Sequence, residues 1–127
     1  MHTLFGFIVV FFGAGLGGAL RHSVNLAALR VADPFPYGTL IVNVTGSLII
    51  GLLAGWFATR ADPGQAWRLF LTTGILGGFT TFSAFSLDVA LLYERGTLGL
   101  AAIYVLASVV MSIAAVFVGL FVMRSIP

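Results

Sequence analysis

Gly74-Ile75-Leu76-Gly77-Gly78-Phe79-Thr80-Thr81-Phe82-Ser83-Ala84-Phe85-Ser86 lies between Arg68 and Asp88, in a stretch apolar enough to cross a bilayer yet poorly suited to a continuous helix. Hydrocarbon offers the backbone no hydrogen bonds, so a spanning segment is helical unless its irregular part is buried in protein or lines a polar cavity. Gly77 and Gly78 favour unwinding, and the neighbouring Thr and Ser hydroxyls offer substitute bonds to freed backbone groups. Exposed carbonyls at such a point are able to hold a cation. The stretch reads as a span broken near Gly77–Thr80, and a broken span points to an ion or solute site.

Outward from this segment the composition agrees. The 127 residues are 60% hydrophobic and 8% charged, with a mean hydropathy of +1.12, whereas soluble domains carry about 25% charged residues. The charges leave four uncharged stretches, roughly residues 4–20, 34–59, 69–87 and 96–123, each near or above the ~20 residues that span a bilayer. The expected fold is all-α and integral to the membrane: one four-helix domain over residues 1–127, with spans at about 4–29, 36–59, 66–93 and 97–124. Met1-His2-Thr3 carries no Lys or Arg and no clear cleavage site follows, so the first segment does not read as a signal peptide. Cysteine is absent, which excludes disulfides and thiolate metal sites. A pI near 9.7 reflects scattered arginines without any lysine. Neither nucleic acid binding nor a polybasic grip on anionic lipid is indicated, and nothing in the chain marks it as an enzyme.

Arginines near span ends set orientation. With four spans, Arg60, Arg68 and Arg124 lie on the side of the termini, and Arg21, Arg30 and Arg95 on the other. A chain so balanced is free to insert both ways, and two oppositely oriented copies then meet as an antiparallel dual-topology homodimer. The alternative is that Arg21 is intramembrane and does not count, or that the amino terminus tips the balance.

Gly13 and Gly17, Gly51 and Gly55, and Gly74 and Gly78 recur at four-residue spacing, which lets helix backbones approach closely. Thr39, Asn43 and Ser47 share one face of the second span, and Tyr104, Ser108 and Ser112 one face of the fourth. Asn43 is the expensive member, since a carboxamide in hydrocarbon needs partners for two donors and an acceptor. Glue between helices explains one such stripe; two stripes on two spans fit a polar path. Phe82 and Phe85 share a face if helix resumes after the break. Their ring edges are electropositive, so stripes and pair together describe a narrow, uncharged path of donors and aromatic edges suited to a small anion.

These residues, Gly38-Thr39-Leu40 with Asn43, Gly77-Gly78-Phe79-Thr80-Thr81-Phe82-Ser83 with Phe85-Ser86, and Arg21 closing the first span, resemble the Fluc/CrcB fluoride channel family over essentially the whole chain. The resemblance implies an antiparallel homodimer, multi-pass in the plasma or inner membrane amid membrane lipid, with two fluoride pathways. It also implies a structural sodium ion (Na+) between subunits, held by backbone carbonyls of Gly77 and Thr80. Phe82 and Phe85 would be pore phenylalanines, Asn43 the pore amide and Ser112 the fourth-span hydroxyl. Tyr104 and Ser108 would complete a polar track, Thr39 would lie near one mouth, and Arg21 would face a vestibule. Ala84 stands where members often carry Thr or Ser, and Ser83 and Ser86 are candidates to compensate.

The function that follows is passive export of cytoplasmic fluoride, which limits its toxicity. A small dual-topology proton-coupled multidrug exporter is the nearest rival; its relay needs an intramembrane acid, and residues 4–20 contain none. A non-conducting assembly subunit is the second.

Overall fold

A chain that cannot bond its backbone to water in the membrane bonds it to itself, and here it does so as helix. The computed structural model describes residues 2–31, 34–60 and 62–127, and helix is the only regular structure among them. Helix α1 spans His2–Ala28 and α2 spans Tyr37–Thr59. The third crossing is divided: α3, residues 65–79, runs through Gln65–Arg68, a π-helical turn sequence Leu69–Leu76 and Gly77–Phe79, and α4 is Phe82–Glu94. The last helix, α5, is Leu98–Ser125. Counting α3 and α4 as one crossing, four helices are long and apolar enough to span a membrane.

The ends follow from local chemistry. Beyond α1, the amides of Leu29, Arg30 and Val31 return to carbonyls of Asn25, Ala27 and Ala28. Pro34 and Pro36 then prevent helix from continuing until Tyr37. After Thr59 the chain turns out, and Asp62 accepts from the Gly64 amide at 2.9 Å and from the Arg68 guanidinium. The Arg68 bond, with the Gly64 amide second, holds the Asp62 carboxyl below its usual range. Gly96, at φ 79°, ends α4 in the left-handed turn that glycine adopts without strain, and the Thr97 amide and hydroxyl both return to the Leu92 carbonyl.

Two helix pairs make up the bundle, and glycine is the reason each is close. In one, α1 lies against α3: a Cβ on Gly13 would sit 2.8 Å from the Phe70 carbonyl oxygen, and one on Gly17 or Gly78 would strike the Ile75 or Ala14 carbonyl. In the other, α2 lies parallel to α5, with Gly51 against Val116, Gly119 against Leu48 and Gly55 against Leu120 and Met123. All six glycines singled out by spacing are therefore contact positions. Few large apolar side chains are buried among the described residues, chiefly Val42, Leu76, Leu92 and Tyr104, while many stand exposed along every crossing. That inversion is what a lipid solvent permits.

The break differs in one respect from the expectation. Gly77 is helical, with φ −62° and ψ −38°, and the extended residues are Thr80 and Thr81. The glycines do not unwind the chain. Close packing on α1 employs them, and the interruption falls one step later, where two β-branched residues accept extended backbone readily.

Candidate functional site at the helix break

Thr81 is held in its extended conformation by a reciprocal clamp from α2. The Asn43 amide nitrogen donates to the Thr81 carbonyl at 3.1 Å, and the Thr81 amide donates to Asn43 Oδ1 at 2.8 Å. This pairing fixes which end of the carboxamide is oxygen. It also uses one lone pair of the oxygen and one of the two N–H donors, which leaves Asn43 a second N–H to offer a guest.

The same bonds release two carbonyls. In unbroken helix the Gly77 carbonyl would receive the Thr81 amide and the Thr80 carbonyl the Ala84 amide. Instead Asn43 Oδ1 takes the first donor, and Thr81 Oγ1, as N-cap of α4, takes the second at 3.2 Å.

Along α2 and α5 the two polar stripes face each other in register. Gly51 meets Val116 and Gly55 meets Leu120, an offset that carried back along both helices sets Thr39 level with Tyr104. The parallel pairing therefore sets Asn43 level with Ser108 and Ser47 level with Ser112, in rungs about 6 Å apart. A cavity of about 420 Å³ opens beside the two inner rungs. It brings together Asn43, Phe82, Phe85, Ser108, Ser112, Gly77 and Thr80 from the sequence expectation, and adds Ser47, Thr72 and Thr81; among the described residues no ionisable side chain lines it. The hydroxyl oxygens of Ser108 and Ser112 are buried without a hydrogen-bond partner. Leaving a buried hydroxyl unpaired costs about 1–3 kcal/mol, so two of them at one cavity mark a place for a polar guest.

The outermost rung is different. Tyr104, fully buried, donates its phenolic proton to Asp88 at 2.9 Å. It is boxed by Phe35 and Phe85, with ring centroids 5.5 and 5.2 Å away. Thr39 and Asp88 line a second cavity of about 480 Å³ toward the 29–37 connection, together with Asn25 and Arg95. The Thr39–Tyr104–Asp88 cluster thus stands between the two cavities, with its tyrosine proton already given away. Asp88, midway along α4, is a partner inside this cluster.

Three of the expected residues lie elsewhere. Ser83 is exposed, 3.3 Å from Thr81 Oγ1, and Ser86 is exposed and bonded back to the Phe82 carbonyl at 3.0 Å. Arg21 is half-buried on α1 and lines neither cavity. The arginine that does line one is Arg95, which its position between α4 and α5 did not distinguish from an ordinary loop charge.

Lipid-facing helices enclosing an uncharged cavity with unpaired donors describe a membrane protein that passes a small ion or solute. The chain belongs to the CrcB-like family: the model described as CrcB-like protein, Camphor Resistance (CrcB), matches residues 8–120. It is 65% identical over 117 residues, 92% of this chain and 94% of the relative, to the "Fluoride-specific ion channel FluC" of Methylobacterium nodulans. Against the protein of that name from Rhodopseudomonas palustris it is 56% identical over 121 residues, 94% and 98% of the two chains. With "Fluoride-specific ion channel FluC 2" of Nitrobacter hamburgensis it shares 53% identity over 119 residues, 93% and 96%.

Proposed function

We propose that this protein is a fluoride channel of the cell membrane, a transport protein and not an enzyme, that lets cytoplasmic fluoride leave passively. The observation that carries the reading is the pair of orphaned hydroxyls, Ser108 and Ser112, beside an Asn43 that commits one N–H to the clamp and keeps the other. Each of the three has an O–H or N–H to turn toward a guest, and no fixed charge competes, which suits an anion. Fluoride holds its water tightly, so a selective path replaces several hydration contacts at once. Neutral donors and the edges of Phe82 and Phe85 do so without the deep well that a buried cation would create. Among the described residues no carboxylate lines the cavity to run a proton relay. A membrane potential negative inside drives the anion outward.

The working unit in this reading is an antiparallel homodimer. Phe82 lines the cavity yet is 79% exposed, so one wall of the conduit is incomplete in a single copy, and the evenly placed arginines permit both orientations. Gly77 and Thr80 would hold a sodium ion through the carbonyls released at the break, an oxygen donor set that hard cations favour. The ion would tie the two breaks together by charge.

Purified protein in liposomes, with external fluoride read by electrode, is the test. Fluoride efflux without a proton gradient is the expected outcome; vesicles that retain fluoride although the protein is inserted and monodisperse would refute the channel.

A further inference from the structure

The helical serines of this chain divide by where their protons go. Ser23, Ser86 and Ser125 donate to the carbonyl four residues earlier, at 3.0, 3.0 and 2.8 Å, which is how a hydroxyl is satisfied in hydrocarbon. Ser83, in the first turn of α4, shares a bond with the Thr81 hydroxyl. Ser47, Ser108 and Ser112 have no partner among the described residues, and all three line the cavity at the break.

We infer that Ser47 is a further fluoride ligand, a donor opposite Ser112 one rung beyond the Asn43–Ser108 level. The inference rests on the channel reading and extends it. Thr72 of α3 also lines the cavity but gives its proton to the Arg68 carbonyl at 2.6 Å, which leaves Ser47 and Ser112 as the unpaired hydroxyls at this end. One turn further, Gly51 closes on the Val116 backbone and a Cβ on Gly119 would sit 2.6 Å from the Leu48 carbonyl, so the gap between α2 and α5 ends there. An ion at the third rung must leave sideways past Ile50 and Thr72. At such a turn it needs donors from both helices, and charge-assisted bonds from Ser47 and Ser112 supply them.

Ser47→Ala, reconstituted at matched protein density, is expected to slow fluoride efflux about tenfold, the worth of one hydrogen bond to an ion, and to raise the half-saturating fluoride concentration. Lost packing alone would lower the active fraction without moving half-saturation. Should the alanine variant elute as aggregate, Ser47→Gly removes the hydroxyl without adding an atom and serves in its place. Ser23→Ala, whose hydroxyl only bonds the Ala19 carbonyl, is expected to keep wild-type efflux. Wild-type efflux and half-saturation in the Ser47 variant, with Ser112→Ala slowed, would overturn the role of Ser47 and leave the channel standing. Silent wild-type vesicles would instead overturn the channel itself.

Discussion

Asn43 clamps the break and, in the proposed channel, offers a donor to the ion; substitution can separate the two. Asn43→Asp keeps an oxygen for the Thr81 amide but loses the donor and adds a charge that repels anions, so efflux is expected to fall at least about tenfold while the melting temperature in detergent holds. Asn43→Leu also orphans the Thr81 amide, and a loss of about 1–3 kcal/mol in stability is expected on top of the lost flux. Equal melting temperatures for the two variants would mean that the clamp does not hold the break. For the rings, Phe82→Ile and Phe85→Ile preserve apolar bulk and remove the electropositive edge; efflux is expected to drop in both with elution unchanged. At this scale the sequence was informative where spacing carries meaning: Asn43, Ser108 and Ser112 follow from their four-residue stripes. The clamp was not legible, because Asn43 bonds the backbone of a residue 38 positions away, and backbone leaves no mark in composition. Ser83 and Ser86 fall outside the cavity lining for the converse reason: proximity to Phe82 in sequence says nothing about which side of α4 a hydroxyl takes.

Helices α1, α2, α3 and α5 owe their pairing to missing Cβ atoms. Gly119→Ala would place a methyl 2.6 Å from the Leu48 carbonyl and the Leu52 amide, and backbone yields less readily than side chain. A cost of about 1–3 kcal/mol is expected, read as a lower melting temperature. Gly99→Ala, where a Cβ meets nothing within 4 Å, is expected to leave that temperature unchanged. The glycine periodicity disclosed these contacts in advance but misled about the break. A glycine pair in a membrane span fits both close packing and unwinding, and only its position against Ala14 and the helical dihedral angles of Gly77 settle the choice. The π-helical run Leu69–Leu76 had no sequence signature at all, since the same residues make an equally good α-helix.

For the molecule as a whole, composition was decisive for the environment and silent about neighbours. Four hydrophobic stretches between charge clusters read directly as four crossings, because lipid enforces one helix per stretch. The face that a second copy would cover is apolar like the faces lipid covers, so hydropathy cannot tell them apart. Orientation is testable through charge: two lysines added on the side of the termini are expected to force one-way insertion, mapped by reagents applied from each side. Fluoride efflux is then expected to collapse, since no antiparallel partner remains. Full efflux from such a population would rule out the antiparallel pair.

The outer rung, where the Tyr104 proton belongs to Asp88, makes the ladder chemically lopsided: one end presents lone pairs and a carboxylate, the other free hydroxyls. A passage with unlike ends rectifies, carrying charge more easily one way than the other. Two such passages laid head to tail cancel that bias. A current–voltage curve from a paired channel would accordingly be straight through zero, and disabling one of its two lanes would bend it.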